Sequence, residues 1–172
     1  MSKLRFNIVF ALLLVVCGCS QRGDGYWGSS DGTLRVHLEV AYDPEARQHF
    51  ASLVFQNVSK KSIIVWDSGF WPNTLLKCTD VDRVPAQLTP EGTNLLKAFS
   101  PGGARDKNSA LRLSPTQVRR SSDNIALERV FVLQPSKTYQ VTATYEERQE
   151  EGWVGSVTSN VAYIRGSEGY EQ

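Results

Sequence analysis

The chain has 172 residues, with 19 Lys plus Arg against 18 Asp plus Glu and only two histidines. Charge this close to balance removes the bulk positive field on which non-specific nucleic-acid binding depends, so no nucleic-acid partner is expected. Three cysteines are too few for a disulfide scaffold, and His37 and His49, twelve positions apart, do not form a ligand pair by spacing.

The chain opens with Lys3 and Arg5, followed by an apolar run over residues 6–16 that only Asn7 interrupts. A membrane-spanning helix takes about 20 apolar residues, so this run is too short to span. It has the proportions of a secretory signal core, expected to be helical. After it stand Val16, Cys17, Gly18, Cys19 and Ser20.

Those residues resemble the lipobox of bacterial lipoproteins, in which a small residue precedes the cysteine that receives lipid. Gly18 before Cys19 fits, whereas the branched Val16 before Cys17 does not, and Cys17 at an inner position departs from the pattern. The resemblance implies that residues 1–18 are removed, that Cys19 carries fatty acid (palmitate), and that the membrane is a partner through this anchor. Ser20, in place of Asp, resembles the class sorted to the outer membrane, which implies an envelope location facing the periplasm. An ordinary cleaved signal with an incidental cysteine is the alternative.

Residues 19–32, rich in Gly and Ser, read as lipidated cysteine and flexible tether. The Arg22-Gly23-Asp24 triplet within it reads as tether. Residues 33–166 read as one domain, large enough to bury a core, and 167–172 as a disordered tail. Leu34, Val36, Leu38, Val40 and Tyr42 alternate with Arg35, His37, Glu39 and Ala41, which predicts a half-buried strand. Asp43 and Pro44 end it with turn chemistry. Residues 50–57 predict a second strand with Ala51, Leu53 and Phe55 on one face. Residues 63–66 are apolar on both faces and predict a central one.

The centre, residues 67–128, reads less regularly. Phe70 and Trp71 fall in a loop, 74–79 form a strand, 87–89 are a further strand candidate, 93–99 a helical turn or two, and 100–108 a loop. After that, 128–133 predict a strand and 134–137 a turn. Tyr139, Val141, Ala143 and Tyr145 predict another strand, 146–152 a hairpin tip, and 156–165 the last strand. Seven to nine strands and no long helix predict an all-β antiparallel sandwich.

Leu133, Pro135, Thr138, Tyr139, Val141 and Ala143 resemble the corner between strands E and F of fibronectin type III and related immunoglobulin-like domains. The resemblance implies that the Tyr139 hydroxyl bonds to main chain near residues 133–136. The paired cysteines of antibody domains are missing, and the centre is long for fibronectin type III. Phe55, Asn57 and Ser59 followed by Ile63 and Val65 also resemble the first strands of bacterial proteinase-inhibitor-like sandwiches. Neither resemblance assigns a function to any residue.

No catalytic motif stands in the sequence, so no catalytic, cofactor-binding or metal-binding residues are assigned. Cys78 reads as a buried apolar side chain, and the acidic tip at 146–151 lacks the alternating ligands of a calcium loop. The expected function is a membrane-tethered, non-catalytic binding or structural module with an envelope protein partner. The alternatives are an envelope protease inhibitor and an enzyme with a site in 67–128. If residues 50–57 and 63–66 are strands B and C, the B–C and F–G loops share one end. Lys60 and Lys61 would then face Glu147 and Glu150 beside Trp153, which makes those five residues the candidate partner surface.

Overall fold

A computed structural model describes residues 26–67, 72–102, 107–148 and 150–166. The signal run, Cys19, the Arg22-Gly23-Asp24 triplet, Phe70, Trp71 and the tail lie outside them. The strands are β1 (Leu34–Asp43), β2 (Gln48–Asn57), β3 (Ile63–Trp66), β4 (Thr74–Asp80), β5 (Ala110–Leu113), β6 (Val118–Arg120), β7 (Ile125–Ala126), β8 (Thr138–Glu147), β9 (Gly155–Thr158) and β10 (Ala162–Arg165). Among the described residues two short α-helices, α1 (Pro90–Lys97) and α2 (Leu127–Val130), and a 3-10 turn at Lys107–Ser109 interrupt them.

The chain folds as an all-β sandwich. In one sheet β1 pairs β2, and β2 pairs both β6 and β7. In the other, β8 lies between β4 on one side and β9 with β10 on the other. All of these pairings are antiparallel, and β3 with β5 makes a separate two-stranded ribbon. Period-two alternation places Leu34, Val36, Leu38, Ala51, Leu53 and Phe55 on the inner face of the first sheet. Leu76, Cys78, Val141, Ala143, Tyr145 and Val157 come from the second, and all of them belong to one buried core.

The corner forms as its resemblance implied. Tyr139 is buried, and its hydroxyl oxygen accepts from the Gln134 N–H at 2.9 Å. Tyr139→Phe removes that acceptor and leaves a half-buried N–H unpaired. It should cost about 1 kcal/mol in urea denaturation, and an unchanged midpoint would count against this role for the hydroxyl.

Four expectations need correction. Residues 128–133 are not a strand: α2 turns there so that Leu127 and Val130 face inward, and its Val130 carbonyl lies where a Cβ on Gly92 of α1 would be. Residues 87–89 contribute a single bridge, Leu88 to Phe131, before Thr89 caps α1. The last strand is split into β9 and β10, because Ser159 bonds the Ala143 main chain at both N–H and carbonyl. Finally, residues 63–66 are not a central strand: β3 pairs only β5 in the two-stranded ribbon, and β4 rather than β3 lies beside β8. The Tyr145 hydroxyl joins β3 to β8 instead, accepting from Trp66 N–H at 3.1 Å and donating to its carbonyl at 3.0 Å.

The stretch read as tether is also packed from Tyr26 onward, so the folded unit begins no later than 26 rather than at 33. Gly28 N–H donates to the Val36 carbonyl and Ser29 N–H to the Thr158 carbonyl. Asp31 accepts from the N–H groups of Thr33 and Leu34 and, through Oδ2, from the Trp153 indole at 2.8 Å. The Gly, Ser and Asp that look flexible in composition thus supply a close approach and turn chemistry.

Candidate functional site

The packed N-terminal arm makes one wall of a cleft on the outer face of the first sheet. β1 carries His37, Glu39 and Ala41 outward, and β2 carries Phe50 and Ser52 beside them, with Glu39 directly opposite Ser52. Tyr26 closes one side, Arg120 of β6 another, and Tyr163 of β10 stands at the rim. The volume is about 410 Å³, inside the roughly 300–1,000 Å³ range of small-ligand sites.

The arm is seated on His37. Its imidazole stacks on the Tyr26 ring with centroids 3.6 Å apart, and Nδ1 contacts the Tyr26 carbonyl oxygen. The Tyr26 hydroxyl donates to Glu39 Oε1 at 3.0 Å, while Glu39 Oε2 pairs with Arg120. Ser52 is 9% exposed, and among the described residues its hydroxyl makes no hydrogen bond. It opens into the cleft.

The second histidine sits elsewhere. Glu128 grips His49 twice, accepting from its N–H at 2.9 Å and contacting Nδ1 at 2.7 Å, beside a smaller cleft lined by Tyr42 and Arg165. Burial pushes the Glu128 carboxyl up, but the His49 hydrogen bonds outweigh it and hold the group below its ordinary value. A lowered folded-state value stabilises the fold above the ordinary value of 4.5. That contribution is lost as the pH falls through the lower folded value. Glu128→Gln should therefore flatten the decline of stability with acidification below about pH 4.5, measured by urea denaturation across pH. An identical slope in both proteins would remove the linkage.

The residues singled out for a partner surface separate. The two loops do share one end, with the Trp153 N–H donating to the Ile64 carbonyl at 2.8 Å. Lys60, Lys61 and Glu150 are exposed. Trp153 is instead buried, stacked on Tyr145 at 5.6 Å, and Glu147 is 1% exposed, accepting from Asn73 Nδ2 at 2.7 Å. Among the described residues no ion pair joins either lysine to the acidic tip. Glu146 pairs with Arg148. The charges do not face each other because Asn73 draws Glu147 inward, and the lysines stay on a turn tied by Asn57 and Ser59.

Cys78 is buried, and burial pushes its thiol up to about 12, so its nucleophilic thiolate is scarce at neutral pH. No group of three or more metal-ligating side chains occurs among the described residues. Sequence reading missed the cleft because Tyr26 lay in the supposed tether and Arg120 in the irregular centre. A legible signal was Ser52, polar within the otherwise apolar Ala51–Phe55 stretch. Compared with known proteins, the chain matches no protein-family model and no curated protein.

Proposed function

We propose that this chain is a lipid-anchored envelope protein whose β-sandwich is a non-catalytic binding module, and that the cleft beneath the arm is its binding site. In this reading Cys19 carries the lipid and the protein faces the periplasm from the outer membrane. The observation that carries the binding role is the cleft itself, which sets the Ser52 hydroxyl, open to the cleft and without a partner among the described residues, beside an ion pair and aromatic rims. The anchor rests on the lipobox-like run, and the arm links the two, because Tyr26 lies only seven positions after Cys19. A ligand held there is held close to the lipid surface. One myristoyl chain gives only marginal membrane attachment, so retention needs the full lipid of a lipoprotein. Fractionation of cells should find wild type with the membranes and Cys19→Ala in the soluble fraction. Equal membrane retention of both would overturn the anchor.

A further inference from the structure

The chemistry of the cleft narrows its ligand, given the reading of it as a binding site. Its two charges compensate each other, Glu39 against Arg120, so it offers no net field to an anion or a cation. What it offers is mixed hydrogen bonding. Each Glu39 oxygen already accepts one donor, from Tyr26 or Arg120, and keeps a further lone pair. The Arg120 guanidinium has five N–H donors, and its side chain is 63% exposed. The Ser52 hydroxyl both donates and accepts. These groups stand beside flat apolar surface, the Phe50 ring and the 67% exposed Tyr163 ring.

We propose that the cleft binds a neutral sugar unit. A pyranose carries vicinal hydroxyls that donate to a carboxylate and accept from a guanidinium at once, and a C–H face that covers an aromatic ring. A free amino acid would set its own charges against an ion pair already satisfied. A purely apolar ligand would cover the Ser52 hydroxyl and the remaining Arg120 donors with nothing to pair them, at a desolvation cost.

The test titrates the full mature protein, in detergent micelles, with neutral hexose and N-acetylhexosamine disaccharides, and separately with free amino acids and inorganic phosphate. Amide chemical shifts report the site. Saturable shifts at residues 37–41, 50–52, 120 and 163 are expected with a disaccharide. Ser52→Ala should weaken that binding about ten-fold, and Tyr163→Ala by a similar factor, while Thr142→Ala on the other sheet leaves it unchanged. Each variant is checked for a wild-type amide spectrum, so loss of fold is seen directly. Cleft shifts with amino acids or phosphate but not with sugars would overturn the sugar proposal and keep the cleft as a binding site. No cleft shifts with any of the three classes would overturn both. Shifts that survive Ser52→Ala and Tyr163→Ala undiminished would overturn the assigned contacts.

Discussion

Replacing Tyr145 with alanine should cost about 4–5 kcal/mol, the upper end for a buried aromatic. The ring is 1% exposed. It packs edge-to-face on Phe55 with centroids 5.1 Å apart and stacks on Trp153. Beyond that volume, the hydroxyl replaces the ladder missing between β3 and β8: it bonds both main-chain groups of Trp66 and accepts from Asn73 Nδ2 at 3.4 Å. Alanine leaves a cavity and orphans those buried groups. Tyr145→Phe keeps the ring and should cost about 1–3 kcal/mol. Domains are stable by only about 5–15 kcal/mol, so the alanine variant should be unfolded or close to it at modest urea. A loss below about 2 kcal/mol would mean that β3 is held by something else.

The second large effect is expected at Gly28. A Cβ there would overlap the Thr158 carbonyl oxygen and the main chain of Ser159, and neither can rotate away. Gly28→Val should therefore lift the arm, breaking the Gly28–Val36 and Ser29–Thr158 hydrogen bonds and removing Tyr26 from the cleft. About 2–3 kcal/mol of docking should be lost. Hydrogen exchange reads it: the Ser29 amide should exchange about 100-fold faster, while Val141 in β8 keeps its protection. An arm amide that stays protected would show that the close approach is not what seats the arm.

These two sites differ in how far the sequence announces them. Tyr145 is the last member of an alternation that runs from Tyr139, and burial of every second residue follows from the pleat. The corner at Tyr139 is equally local, since its partner Gln134 is five positions away. The arm is not local. Its partners Thr158 and Trp153 lie more than 120 positions along the chain, and Gly, Ser and Asp are the same residues a solvated tether would use. The α2 segment misleads for another reason. Its Val and Phe favour strands, yet packing of Leu127 and Val130 under α1 overrides that preference. Trp153 and Glu147 were legible as an aromatic and an acid at a hairpin tip, but their direction depends on Asp31 and Asn73, which no local pattern brings to them. The cleft joins positions from 26 to 163, so its parts could be seen only singly, as an aromatic in a tether or a serine in an apolar strand.

Hydroxyl-radical footprinting of the protein in intact envelopes tests most directly whether the tethered module binds through this cleft. Tyr163 is 67% exposed and Tyr42 50% exposed in the free chain, so both rings should oxidise readily in the purified protein. In envelopes Tyr163 should become protected while Tyr42, which does not line the cleft, stays reactive. Equal oxidation of Tyr163 in the two preparations would contradict it.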